Sequence, residues 1–340
     1  MTIKVAIDIM GGDHGLNVTL PASFRALEKF ADLELLLVGN ESQISEALLD
    51  YPANLSARIQ IVHAEQVVDM DELPSVALRK KRKSSMRIAI NQVKDNAAHA
   101  CVSAGNTGAL MAISKFVLKT LKGIDRPAIC AIMPTSIGHV HMLDLGANID
   151  SDKNALLQFA VMGSALAQTV DNNPSPKVGL LNIGEEEIKG LQRIKDANTE
   201  LQDMPLNYIG YVEGDDIFTG KADVVVCDGF EGNIALKSSE GVAKLIIGGL
   251  KKSFKRNWMT KLIALIAMPV LKDFAKSMDP GKYNGASLLG LKGIVVKSHG
   301  GADEASFTNA IAVAYHEAER NVPERIVSMV DEVLNKETQA

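Results

Sequence analysis

The chain of 340 residues is long enough for one large α/β domain or two smaller ones, either with a sizeable core. Its 46% hydrophobic and 23% charged residues are those of an ordinary globular protein, while a formal net charge of -5 and only 4% aromatic residues argue against a general nucleic-acid binder and a single-strand stacking platform. The three cysteines, Cys101, Cys130 and Cys227, show neither CxxC nor zinc spacing, and the opening "MTIKVAIDIM" lacks the basic start and apolar core of a signal peptide, so a reducing cytoplasm is the expected setting.

In chain order, "KVAIDI", "LELLLVG", "RIQIVHA", "ACVSA", "PAICAIMP", "VHMLDLG", "KVGLLNIG", "ADVVVCDG" and "GIVVKSHG" are apolar, β-branched runs that read as buried strands. Between most of them lie stretches with helical spacing, such as "NALLQFAVMGSALAQTV" from Asn154 and "FTNAIAVAYHEAERN" from Phe307. Repetition of strand and helix predicts a mainly parallel sheet covered on both faces, a three-layer, Rossmann-like α/β/α sandwich. "DNNPSP" (171 to 176) suits a surface loop as well as a boundary, so residues 1–340 are expected to form one catalytic domain with room for two interleaved subdomains.

Six strand exits share a composition of glycine with Asn, Asp, Ser or Thr: "DIMGGDHG" (Asp8, Gly11, Gly12, Asp13, His14), "SAGNTG" (Ser103, Gly105, Asn106, Thr107, Gly108), "DLGANIDSD" (Asp144, Asn148), "NIGEEEIKG" (Lys189), "CDGFEGN" (Asp228, Asn233) and "SHGGAD" (His299). Ligands of open α/β sheets bind at strand carboxyl ends, where glycine lets backbone amides approach an anion, so these exits are candidate walls of one cleft. Each glycine taken singly also suits a tight turn. No exit matches GxGxxG and no GxxxxGK[ST] occurs, so no nucleotide cofactor is expected. "SAGNTG" better suits a compact tetrahedral anion, with Asn106 or Thr107 capping a helix and inorganic phosphate as the natural ligand.

"AIDIMGGDHG", "SAGNTGALM", "KGIDRPAI", "LDLGAN", "LLNIGEEEIKG", "VVVCDGFEGNIALK", "YNGASLLGLKGIVVKSHG" and "LRKKRKSSM" resemble, in order and across nearly the whole chain, the bacterial phosphate acyltransferases of the PlsX type. The resemblance implies transfer of a long-chain fatty acyl group from acyl carrier protein to inorganic phosphate, giving an acyl phosphate for phospholipid synthesis. It also implies a fold akin to the phosphotransacetylases and the isocitrate and isopropylmalate dehydrogenases. It assigns Lys189 and Asn233 to the chemistry. Without it, Lys189 reads equally as an exposed lysine in a first helical turn and Asn233 as an N-cap.

Attack of phosphate on a thioester needs the anion in line, the carbonyl oxygen stabilised as it becomes negative, and water kept away. Asp8, Asp13, Asp144 and Asp228 are scattered singly and would repel phosphate, so they are expected to orient loops, and no metal is expected. His14 and His299 are expected as loop hydrogen-bonders, because a thiolate leaving group needs little protonation. Cys101 and Cys227 have no histidine at hand and read as buried strand residues.

Two basic segments bear on partners. "LRKKRKSSMR" carries Arg79, Lys80, Lys81, Arg82, Lys83 and Arg87 without an acid, either a solvated face or a dock for the acidic acyl carrier protein. In "KKSFKRNWMTKLIALIAMPVLKDFAK" (251 to 276), seven basic residues and one acid flank an apolar core from Leu262 to Leu271, far below the roughly 20 residues of a membrane span. Trp258, Lys261, Leu262, Ile263, Leu265 and Ile266 would lie in a membrane interface, or the segment packs on a second subunit.

The expected protein is a cytoplasmic homodimer with a helical excursion at about 231–285 that touches the inner face of the cell membrane reversibly, near a membrane-bound glycerol-phosphate acyltransferase. A short-chain phosphotransacetylase using acetyl-CoA and a non-catalytic peripheral membrane protein remain the alternatives.

Overall fold

The computed structural model describes residues 2–277 and 280–334. Its strands are β1 Ile3–Asp8, β2 Leu33–Gly39, β3 Ile59–His63, β4 Ala100–Ser103, β5 Ala128–Thr135, β6 Gly138–Leu143, β7 Val178–Leu181, β8 Tyr208–Val212, β9 Val224–Val226, β10 Ala286–Leu289 and β11 Ile294–Lys297. They form one sheet in the order β3-β2-β1-β4-β11-β10-β5-β6-β9-β7-β8. The nine apolar runs all become strands. The two missed by periodicity are β8, whose Gly210 has a positive φ, and β10, four residues long with a polar Ser287.

Pairing is parallel except where β10 meets β11 and β5, and where β5 meets β6. Those antiparallel steps reverse direction across the middle of the sheet. β1, β4 and β11 run one way and β6, β7 and β9 the other. The six glycine-rich exits therefore leave from opposite ends of their strands, three and three. This corrects the expectation that strand ends alone bring them to one cleft, which holds only when all the strands run in one direction.

Helices cover both faces. On the back face, Leu16–Lys29 and Glu304–Glu319 pack on Val5, Val102 and Val296, and Lys153–Val170 and Val322–Val333 on Leu143, Val178 and Val224. On the front face, Ser85–Lys94 and Thr107–Leu118 cover Ala6, Cys101 and Val295, while Gly229–Phe254 lays Ala235 and Leu236 over Met142 and Val225. Side chains at β1, β4 and β11 alternate between these layers, so strands buried on both faces read as continuous apolar runs.

Gly229–Phe254 continues into a second helix, Trp258–Ser277, in the stretch where a helical excursion at about 231–285 is expected. The second helix packs on the first through a half-buried stripe of Thr260, Ala264, Ala267 and Leu271, the helical spacing of one face. Its outer surface is apolar: Trp258, Leu262, Ile263, Leu265, Ile266 and Val270 are all more than half exposed. Lys261 is exposed among them. The side chains of Lys272, Asp273 and Lys276, counted in this segment above, lie outside the described ones. Among the described residues no helix is long and apolar enough to cross a membrane.

Candidate active site

At the β1, β4 and β11 end, Asp8, Ser103 and Lys297 stand in register on three adjacent strands and so share the front face. Ser103 Oγ donates to Asp8 Oδ2 at 2.6 Å and accepts the Gly105 amide at 3.1 Å. Burial raises the pKa of Asp8. The surrounding loops come so close that a Cβ on Gly11 would stand 2.6 Å from Asp8 Oδ2, and one on Gly12 would stand 2.8 Å from the Ala104 Cβ. Asp13 and His14 are exposed beside them, and Asp13 donates its amide to Gly300 O at 2.9 Å. His299 is a loop hydrogen-bonder as expected, with Nδ1 accepting the Gly301 amide at 3.1 Å.

Asn106 is the cap of Thr107–Leu118. Its Oδ1 accepts the Ala109 amide at 2.9 Å, and its Nδ2 donates to Met70 O at 2.8 Å and Glu72 O at 2.9 Å. That side chain is fully engaged by the fold, whereas Thr107 and Gly108 at the helix start are exposed.

At the opposite end, Asp144 is completely buried and organises its loop by accepting from the amides of Ile129, Ala147 and Asn148 and from Asn148 Nδ2. Asp228 accepts the Phe230 amide at 2.9 Å and the Ser151 amide at 2.6 Å, so it is Asp228 that caps Gly229–Phe254. These aspartates orient loops, as their scattered placement suggests. Asn233, which residue type alone could read as a cap and the resemblance assigns to the chemistry, sits a full turn inside the helix, exposed, against Gly146, and with no hydrogen-bond partner among the described residues. The helix comes so near the β6 exit that a Cβ on Gly232 would lie 2.0 Å from Asp144 O.

Lys189 lies in the turn before Gln192–Asp203 rather than in the helix. It pairs with Glu186 at 2.7 Å, and that hydrogen bond raises its pKa. Glu185 pairs with Lys221, so Glu185 and Glu186 serve neighbouring lysines instead of a helix end. Arg193, which sequence reasoning passed over, ties this turn to the β6 and β9 exits through Asp150 at 3.1 Å and Glu231 at 3.3 Å.

β4 and β7 are six strand positions apart, about 29 Å at the usual ~4.8 Å spacing, so one small anion cannot touch both the Gly105–Gly108 loop and Lys189 of the same chain. Gly229–Phe254 starts beside Asn148 and Asp144, and its exposed Lys237 pairs with Glu240 at 3.1 Å. Lys297 is 8% exposed, and burial pushes its pKa down to about 8 against the opposing pull of Asp13 and Asp8. Lys297 was not singled out in the sequence, where "VVK" looks like an ordinary strand end, and only tertiary packing buries it.

All three cysteines are buried, with thiol pKa values pushed well up by burial, which rules them out as resting thiolates. The closest grouping of metal-ligating atoms among the described residues is elsewhere, on the back face, where His139 and His141 hold Asp171 at 3.1 and 2.7 Å. An open cavity of about 360 Å³ beside Lys115, Phe116 and Lys119 is on the outside of Thr107–Leu118 and not at a strand exit.

A family model described as "Fatty acid synthesis protein" matches residues 3–325. The phosphate acyltransferase of Hydrogenovibrio crunogenus is 63% identical, covering 98% of this chain and 99% of that one, and the phosphate acyltransferase of Legionella pneumophila strain Paris is 56% identical over 98% of each. The chain belongs to the phosphate acyltransferase family. Among solved structures, a phosphotransacetylase from Streptococcus pyogenes (TM-score 0.62, 17% identity, 94% of each chain) and one described as EutD phosphotransacetylase from Staphylococcus aureus (TM-score 0.61, 16% identity, 93% and 94%) share the fold.

Direct attack by phosphate on an acyl donor would need no activated cysteine, and none is found among the described residues. A phosphate acyltransferase needs donors for an oxyanion and cations for an anion. Asn233 carries an unengaged side-chain amide of the first kind, and Lys189 and Lys297 are basic groups at opposite strand ends of the sheet.

Proposed function

We propose that the enzyme takes a long-chain fatty acyl group from acyl carrier protein and passes it directly to inorganic phosphate. A phosphate oxygen forms the new bond to the thioester carbon, the carbon–sulfur bond breaks, and the carrier leaves as a thiolate. The Asn233 amide donates to the carbonyl oxygen as it becomes negative, and the Lys189 ammonium offsets the charge on that side. The observation that carries this reading is that Asp228 has taken over the capping role, leaving the exposed Asn233 amide unengaged at the mouth of the β6 and β9 exits.

The carrier reading is supported by the basic segment, though less of it than the sequence suggests. Lys81 is drawn inward to Val67 O, Asp69 and Glu72, and Lys83 pairs with Glu65. Arg79, Lys80 and Arg82 stay exposed without an ion pair among the described residues, and half-buried Arg87 rests on the Phe116 ring, 5.3 Å from its centre. With Lys115 and Lys119 on the adjoining helix they make a basic face suited to an acidic protein. The apolar outer face of Trp258–Ser277 supports reversible contact with an anionic membrane surface, where a membrane-bound acceptor enzyme would receive the acyl phosphate.

The test is thiol release from palmitoyl-loaded acyl carrier protein with and without phosphate, with acetyl-CoA as comparison donor. Phosphate-dependent release from the carrier substrate is the expected result, and release from acetyl-CoA alone would make the enzyme a short-chain phosphotransacetylase. Lys189→Ala and Asn233→Ala should each lower kcat/KM by about 100-fold, the usual effect of deleting an oxyanion donor. Turnover within about twofold of wild type in both would remove them from the chemistry.

A further inference from the structure

We propose that His139, His141 and Asp171 form a site for one exchangeable divalent ion of the zinc class. The inference is independent of the acyl-transfer reading, because the cluster lies at the end of β6 opposite to the Asp144 exit.

The cluster follows from local structure. His139 and His141 are two apart on β6, so both side chains leave the back face of the sheet, and their rings meet edge to face with centroids 5.3 Å apart. Asp171 closes the helix Lys153–Val170 on the same face. Its Oδ1 lies 3.1 Å from His139 Nε2 and its Oδ2 lies 2.7 Å from His141 Nε2. One ligating atom from each of the three residues falls within 4.8 Å of the others. Arg320 donates to Thr169 O at 2.9 Å and to Val170 O, which leaves the neighbouring carboxylate to the histidines.

Two imidazoles and a carboxylate are a donor set that zinc accepts while keeping a fourth position for water. With bonds of about 2.0–2.2 Å, a tetrahedral ion holds its ligand atoms roughly 3.3 Å apart. The observed separations of 2.7 and 3.1 Å need to open by only about 0.6 Å or less. The side chains of His139 and Asp171, 35% and 25% exposed, can make that movement and admit the ion, while His141, at 2%, is a fixed anchor. Without the ion, imidazole protons hold the same three groups together, so the hydrogen-bonded clamp is the ion-free state.

The arrangement also sets how firmly the ion is held. A ligating histidine ordinarily donates from its other ring nitrogen to an acceptor, and losing such a partner costs about 10–100-fold in affinity. His141 Nδ1 is buried with no hydrogen-bond partner among the described residues. The ion therefore exchanges with solution, and while bound it cross-links β6 to the end of Lys153–Val170.

The experiment titrates Zn²⁺ into the chelator-treated full chain by calorimetry and follows melting with Zn²⁺ or Mg²⁺. The wild type should take up one Zn²⁺ per chain and melt at a higher temperature with it, whereas Mg²⁺, which prefers oxygen ligands, should do neither. His139→Ala and Asp171→Asn should each weaken binding by about tenfold or more and lose the melting shift. His316→Ala, at an exposed histidine paired with Glu319 on another helix, should keep both. No uptake by the wild type, or uptake of several weak ions that His139→Ala leaves unchanged, would overturn the proposal and leave the cluster a clamp alone. Should one of the two ligand variants fail to fold, the other decides.

Discussion

Glu317 offers the cleanest quantitative check on this structure. It is 4% exposed on the back face and hydrogen-bonded to Ser287 of β10, and burial pushes its pKa up to about 7 from an ordinary 4.5. A group whose folded pKa lies above its unfolded value favours the fold while protonated. That advantage is complete below pH 4.5 and is lost as the pH rises through 7. At about 1.4 kcal/mol per pH unit, the loss across the interval is about 3 kcal/mol. Glu317→Gln keeps the shape and stays neutral, so it should match wild type to within about 1 kcal/mol at pH 4.5 and exceed it by about 3 kcal/mol at pH 8. Urea unfolding of both proteins at several pH values measures this directly. A stability difference that is the same at pH 4.5 and pH 8 would refute the reasoning, because it would mean that Glu317 carries its ordinary pKa in the fold.

The His139–Asp171–His141 clamp gives a second linkage. The two histidines hold the Asp171 pKa down, and the Asp171 hydrogen bond raises that of His139. The aspartate's contribution is present above the ordinary carboxylate range, and that of His139 fades as the pH rises past its raised value. Asp171→Asn should therefore cost on the order of 2 kcal/mol, most strongly between about pH 4 and 6.5, in melts run from pH 4 to 9; a loss unaffected by pH would exclude the ionic clamp. For the helical hairpin, Leu262→Glu with Ile266→Glu should abolish sedimentation with vesicles containing anionic lipid and leave turnover of a soluble donor within about twofold. Undiminished sedimentation would move this face to a contact between subunits.

The sequence by itself determined most of the layering and much of the chemistry on offer. Runs such as "LELLLVG" could be buried on both faces only inside a helix-covered sheet, and eight separated blocks carried the resemblance that the family match then established. It also identified Asp144 and Asp228 as loop organisers and the cysteines as buried, because local composition decides those roles. The active-site arrangement depended on information of another kind. Periodicity is blind to strand direction, so the reversal at β10, β5 and β6, which sends the six exits to opposite ends, was invisible. Nor could spacing distinguish capping Asp228 from unengaged Asn233, or show that Lys81 and Lys83 turn to acids brought close by folding. Lys297 reads in the sequence as an ordinary strand end, and only packing leaves it 8% exposed with its pKa pushed down to about 8. Burial sets its charge state, and burial is a property of the packed molecule.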